Sequence, residues 1–162
     1  MAKKRVEKGV AGMELLVCRN PKAARRYDIE DRFEAGLVLY GSEVKSLRAR
    51  RANLEGSYAR LDAGELFLYG MHVAQYDQAG HAGHEPLRRR KLLMHRHEIE
   101  KLRGRLTTKG YALIPLQVYF KNGVAKVQLG LGRGKKKGDD REEIRRQEDL
   151  KEARAAMQRH KG

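Results

Sequence analysis

Six histidines and a single cysteine are the residues of this 162-residue chain best suited to holding a metal or doing covalent chemistry. A zinc site needs about four convergent nitrogen or sulfur donors at characteristic spacings. His81 and His84 fall in a stretch that reads as a loop, and His95 and His97 are two apart, where a helix would turn them to different sides. No cysteine pair or acid pattern completes a shell, so neither a metal nor a cofactor is expected. Cys18, within Leu15-Leu16-Val17-Cys18, has no evident base partner and reads as a small buried hydrophobe. No nucleophile-elbow pattern is present. Gly130-Leu131-Gly132-Arg133-Gly134 has the glycines of a phosphate-binding loop without its Lys-Ser or Lys-Thr ending, and reads as a strand running out into a hinge. Docking is expected rather than catalysis.

The chemistry the residues do favour is polyanion binding. Lys and Arg number 36 against 21 Asp and Glu, a formal charge of +15. They gather in four clusters, Lys3 to Lys8, Lys45 to Arg51, Arg88 to Lys91 and Arg133 to Lys137. The longest apolar runs, such as Leu37 to Tyr40 and Ala112 to Leu116, have the length of strands and cannot span a bilayer, so no membrane partner is expected. The basic start Met1-Ala2-Lys3-Lys4-Arg5 is not followed by the apolar run of a secretory signal, and one cysteine forms no internal disulfide. A cytoplasmic protein is the expectation. Basic clusters spread over a chain can surround a folded RNA, whose phosphates supply most of the affinity and its salt dependence. Tyr27, Tyr40, Tyr58, Tyr76 and Tyr119 could stack on bases, although aromatic residues are only 6% of the chain and most should be core or rim.

The elements that must position these residues follow from periodicity and turn chemistry. Glu14 to Cys18 reads as a strand; Asn20-Pro21 then caps and opens a short helix through Arg26. Asp28 to Tyr40 reads as one long bent strand interrupted at Gly36 by a bulge or bend. Ser42 caps a helical turn over Glu43 to Arg48, with Val44 and Leu47 inward and Lys45, Arg48, Arg50 and Arg51 outward as a basic ridge. Ser57 to Leu61 and Glu65 to His72 form a hairpin around Asp62-Ala63-Gly64, and Gln75 to Glu85 is a loop. His95 to Leu106 has Ile99, Leu102 and Leu106 at helical spacing. Asn122-Gly123 turns a hairpin between Tyr111 to Phe120 and Val124 to Leu131, with Ala125, Val127, Leu129 and Leu131 on one face.

Some six strands broken by short helices, without βαβ alternation, predict a mainly β fold: an OB-like antiparallel barrel flanked by about three helices. The expected organisation is a flexible basic leader over 1–12, the barrel over 13–132 and a charged tail over 133–162 that is disordered when free. The tail is helix-prone but core-poor, with only Ile144, Leu150, Met157 and several alanines to form an apolar seam, so it needs a partner surface to hold it.

Several strings resemble the SsrA-binding protein family, also called small protein B. They are Phe33-Glu34-Ala35-Gly36-Leu37, Gly41-Ser42-Glu43-Val44-Lys45-Ser46-Leu47-Arg48, Ala52-Asn53-Leu54, Ser57-Tyr58, Arg90-Lys91-Leu92-Leu93, Tyr119-Phe120-Lys121-Asn122-Gly123 with Lys126-Val127, and Gly134-Lys135-Lys136. The resemblance runs in order along nearly the whole chain. It implies a bacterial protein that binds the tRNA-like domain of transfer-messenger RNA and carries it to stalled ribosomes. The body then fills the space of the missing anticodon arm, and the tail enters the empty message channel beside the small-subunit rRNA and decoding centre. Elongation factor Tu and alanyl-tRNA synthetase are implied as partners reached through the RNA. By position the resemblance assigns RNA contact to Glu34, Leu93, His95 and Lys126, with Lys45 and Arg48 on the basic ridge, and ribosome contact to Gly134, Lys135, Lys136, Asp139, Arg141 and Met157. Glu34 would accept from base or ribose donors, or orient a nearby arginine. Gly138 departs from the aromatic or histidine of many relatives, and Asp140 from their usual lysine. A general RNA chaperone or a ribosome-associated structural protein would share the charge and the barrel. A nuclease would need Glu34 and His95 convergent in a cleft.

Overall fold

The computed structural model describes residues 12–75, 83–135 and 137–161, with side chains throughout except at 137–144 and 158–161. Its first strand, β1 (Met13–Arg19), leads to α1 (Pro21–Arg26), where proline at the first position supplies a φ already suited to a helix. Asn20 is the residue before α1, but its side chain does not cap: Nδ2 donates to the Pro115 carbonyl at 2.9 Å and ties the helix to a distant strand. Then come β2 (Tyr27–Leu37), α2 (Gly41–Arg48), β3 (Ala52–Asn53), β4 (Tyr58–Asp62), β5 (Glu65–Tyr69), β6 (His72–Val73) and β7 (Arg90–Leu93). The chain continues as α3 (Arg96–Leu106), β8 (Tyr111–Lys121), β9 (Val124–Gly134) and α4 (Lys137–Lys161).

Pairing follows β8-β4-β5-β7-β2-β9, and β9 pairs back onto β8, so six antiparallel strands close a ring. Closure removes the exposed edges that an open sheet would leave. Strand β1 lies outside the ring against the far end of β8, and β3 with β6 makes a separate two-stranded ladder. The expected OB-like barrel is therefore present. Its β8–β9 hairpin turns on Asn122 (φ +52°) and Gly123 (φ +74°), the left-handed pair that matches strand twist. The inward residues of β9 are buried as expected, and they meet Leu66, Leu68 and Leu92 from the ring, Leu47 from α2 and Leu102 from α3. Each leucine so buried contributes roughly 1.5–3 kcal/mol.

Four local expectations are corrected. Gly36 is not a bulge but the point where β2 changes partners, opposite Lys126 on β9 and Leu93 on β7; the register shift lies between Ile29 and Asp31. Tyr40, not Ser42, precedes α2, and the Glu43 carboxylate accepts the Tyr40 N–H at 2.9 Å. The second strand of the Asp62 hairpin stops at Tyr69, and Gly70 (φ +77°) turns the chain toward β6. The supposed hinge at Gly132 is still strand: a side chain there would lie 2.2 Å from the Asp28 carbonyl oxygen, a spacing only glycine permits. No helix among the described residues is long and apolar enough to cross a membrane.

Candidate nucleic-acid interface

Three chain crossings build one cleft of about 440 Å³, lined by Glu34, Gly36, Leu93, Met94, His95, Glu98 and Lys126. Strand β2 supplies Glu34, the end of β7 supplies Leu93, and β9 supplies Lys126 beside them. His95 precedes the first turn of α3. The four residues that the resemblance assigned to RNA contact on the barrel are thus brought together. Lys45 and Arg48 are exposed on α2 but do not line the cleft; Arg48 covers the Phe120 ring at 4.1 Å.

Leu93 is 55% exposed, although it follows the fully buried strand residue Leu92. Strand alternation sends it outward. Gly36 leaves the floor between Leu93 and Lys126 open, because a Cβ there would lie 3.5 Å from the Leu93 Cβ and 3.8 Å from the Lys126 Nζ. Behind the cleft stands Tyr119, fully buried, whose hydroxyl donates to Glu34 Oε2 at 2.6 Å. Lys121 Nζ reaches Glu34 Oε1 at 3.4 Å. Burial, then the Glu34 carboxylate, push the Tyr119 phenol far above its ordinary pKa, so it stays a donor. The side chains Glu34 engages are a tyrosine and a lysine, not the arginine it was expected to orient. Tyr119, counted among the possible base-stacking rings, is closed to bases. Its role was not visible in sequence because Glu34 lies 85 residues away.

The third basic cluster is also corrected. Arg90 is fully buried and donates through Nε to the equally buried Glu43, with further bonds to the Met71 carbonyl at 2.8 Å and the Pro86 carbonyl at 3.1 Å. Arg88 donates to the other Glu43 oxygen at 2.6 Å and lies over the Tyr40 ring. Burial pushes the Glu43 carboxyl up, but bonds from Arg88, the Tyr40 N–H and Arg90 outweigh it and hold it below the ordinary range. These arginines fix α2, and with it the basic ridge, to the barrel.

His95 and His97 do not face opposite sides. His95 lies outside the helix proper, and its ring stacks on His97 with centroids 5.7 Å apart. Among the described residues no three His, Cys, Asp or Glu side chains gather as a ligand set; His81 and Tyr76 lie outside those residues. His84 is buried between Ser42 Oγ and the Val73 carbonyl, at 2.9 Å from each. Burial pushes the Cys18 thiol up to about 11.

At the tail, Gly134 still pairs with Tyr27, and Lys135 holds α1 through its N–H to the Arg26 carbonyl at 2.7 Å and its Nζ to the Ala24 carbonyl at 3.1 Å. Lys136 lies outside the described residues. Asp139 and Arg141 fall on the first turns of α4, and Met157 near its end is 68% exposed.

Residues 17–159 match the family described as SmpB protein. A curated protein of Geobacter metallireducens, named SsrA-binding protein, is 52% identical over 144 residues, covering 89% of this chain and 94% of that protein. The SsrA-binding protein of Bacillus subtilis is 50% identical over 146 residues, covering 90% and 94%. A solved chain described as "tmRNA-SmpB: a journey to the center of the bacterial ribosome" superposes with a TM-score of 0.64 at 42% identity, covering 84% of this chain and 96% of that one. With a barrel of this topology, a cleft that gathers Glu34, Leu93, His95 and Lys126, and this extent of identity, the chain belongs to the SmpB family.

Proposed function

We propose that this protein binds the tRNA-like domain of transfer-messenger RNA and delivers it to stalled ribosomes for trans-translation. The observation that carries the reading is the convergence of Glu34, Leu93, His95 and Lys126, drawn from separate elements, in one cleft. The cleft offers an acceptor, a cation, an exposed apolar side chain and an imidazole, the groups needed to grip an irregular RNA surface by its bases and sugars. Lys45 and Arg48 add phosphate contact from the α2 ridge. The tail residues Gly134, Lys135, Lys136, Asp139, Arg141 and Met157 then meet the decoding centre and message channel of the small subunit. Elongation factor Tu and alanyl-tRNA synthetase act on the same complex through the RNA, in the cytoplasm.

The protein works by docking and not by turnover. Glu34 and His95 do line one cleft, as a nuclease would require. Yet the Glu34 carboxylate is already engaged by the Tyr119 hydroxyl and Lys121 Nζ, so a bound RNA meets it as a positioned acceptor. Gel shifts with transfer-messenger RNA, competed by bulk tRNA at several salt concentrations, test the proposal. Binding that survives a large excess of tRNA and weakens by orders of magnitude from low to physiological salt, as about five to eight phosphate contacts imply, supports it. Equal competition by any tRNA, or RNA cleavage by the pure protein, overturns it.

A further inference from the structure

A second cavity is larger than the Glu34 cleft. It measures about 670 Å³ and lies where α1, β4, the end of α3 and the start of β8 meet. That volume is within the ~300–1,000 Å³ of pockets that hold small ligands. The two sites share no lining residue, and α3 runs between them: Glu98 in its first turn borders the cleft, Arg103 and Leu106 in its last border the cavity.

Its wall combines four cations, Lys22, Arg26, Arg60 and Arg103, with the rings of Tyr27, Tyr58 and Tyr111, and includes no Asp or Glu. Lys22 pairs with Glu55, Arg60 with Asp62, and Arg103 with Glu100, each a surface pair that contributes little and yields to a phosphate. Arg26 is exposed, and its charge acts on Glu55, the surface partner of Lys22. Tyr58 is stacked on Tyr69, centroids 5.4 Å apart and rings 12° from parallel, yet it remains 43% exposed. A fixed aromatic surface beside an exposed guanidinium fits a ligand that is itself half π-face and half anion. A nucleoside phosphate is that ligand.

The surroundings favour a strand over a free nucleotide. Along the outer face of β4 and β5, Tyr58 stands opposite Tyr69 and Arg60 opposite Phe67. Arg60 lies over the Tyr69 ring at 4.8 Å and Arg89 over Phe67 at 4.2 Å. Rings and guanidinium groups therefore continue from the cavity mouth, as successive bases and phosphates require. We propose that this cavity takes one unpaired nucleotide of an RNA strand, its base against Tyr58 and its phosphate on Arg26 and Lys22, as a nucleic-acid contact separate from the Glu34 cleft. The site adjoins the root of the tail, because Lys135 is bonded to the backbone of Ala24 and Arg26 on the same helix.

The test titrates the full-length, nitrogen-15-labelled protein with a 5′-phosphorylated single-stranded RNA tetranucleotide and, in parallel, with adenosine monophosphate. Saturable amide shifts centred on Ala23, Tyr27, Tyr58 and Ala112 are expected. Arg26→Glu and Tyr58→Ala each weaken the tetranucleotide by about fivefold or more, and the mononucleotide binds at least about tenfold more weakly than the tetranucleotide. Both substituted residues are exposed, and unperturbed spectra confirm the fold. Shifts confined to Glu34, Leu93 and Lys126, no saturation, or full affinity in the Arg26→Glu protein overturns the site. A mononucleotide that binds as tightly as the tetranucleotide overturns the strand assignment and makes the occupant a free nucleotide. Failure of the Glu34 reading is seen separately, with transfer-messenger RNA.

Discussion

The buried phenol of Tyr119 and the carboxylate of Glu34, 85 residues apart, form a 2.6 Å hydrogen bond that holds Glu34 against the wall of the cleft. The bond leaves the Tyr119 ring in the core and only the acid at the surface. Tyr119→Phe should keep the packing, lower stability by no more than about 1 kcal/mol, and release Glu34 to rotate. Affinity for transfer-messenger RNA should fall about three- to tenfold, and Glu34→Ala in the same background should add little. Gel shifts beside thermal melts check this. Full additivity of the two substitutions would mean that Tyr119 does not act through Glu34.

Glu43 and Arg90 form an ion pair in which both side chains are fully buried. Glu43→Ala strands Arg90 without its counter-charge and should cost about 3–5 kcal/mol, read by urea denaturation. The pair also sets a pH dependence. An unfolded glutamate titrates near ~4.3, and Glu43 in the folded state titrates lower. Its contribution is therefore complete above the unfolded value and is lost as pH falls through the folded one. Glu43→Gln should be less stable than the native protein at neutral pH, with the gap narrowing below about pH 4. A gap independent of pH would show that the carboxylate charge is not what stabilises the site.

What could be read from the sequence depended on whether the determining contact was local. Asn122-Gly123 specifies its own turn, and Ala125, Val127, Leu129 and Leu131 specify their own face, so the β8–β9 hairpin was legible. The Glu43–Arg90 pair spans 47 residues and the Tyr119–Glu34 bond 85, so neither leaves a local pattern. For that reason Arg90 reads as a surface cation and Tyr119 as a possible stacking ring until the barrel closes. The cleft was legible only through family resemblance; nothing in the spacing of Glu34, Leu93 and Lys126 announces that β2, β7 and β9 are neighbours.

Gly132 and Gly134 look alike in sequence and should behave oppositely. Alanine at 132 would place its Cβ 2.2 Å from the Asp28 carbonyl oxygen and 3.1 Å from the Ile29 Cα, both backbone atoms, so β2 and β9 must separate. We expect a loss of about 2–3 kcal/mol or more. Alanine at 134 meets nothing within 4 Å and should change stability by less than about 0.5 kcal/mol. Urea denaturation of both variants decides it; equal effects would mean that the strand ends before Gly132.

The last prediction separates the barrel from the tail, and the structure moves the cut. Lys135 is bonded to α1 and Gly134 is paired with Tyr27, so a truncation that removes them disturbs the barrel edge as well. Deleting residues 137–162 instead should leave binding of transfer-messenger RNA within about twofold of native, since no cleft residue is touched. Tagging on stalled ribosomes should be abolished. The described side chains of α4, residues 145–157, are all exposed, including Leu150 at 57% and Met157 at 68%. A helix that buries so little apolar surface does not offset its own ordering entropy, so its helicity depends on what it meets. Within it, Arg146→Pro removes a backbone donor and costs about 3 kcal/mol of helix formation, whereas Arg146→Ala costs almost none. The proline variant should therefore bind the RNA normally and tag poorly, with the alanine variant close to native. Retained tagging by the truncated protein, or lost RNA binding, would show that docking and ribosome engagement are not divided at Lys135.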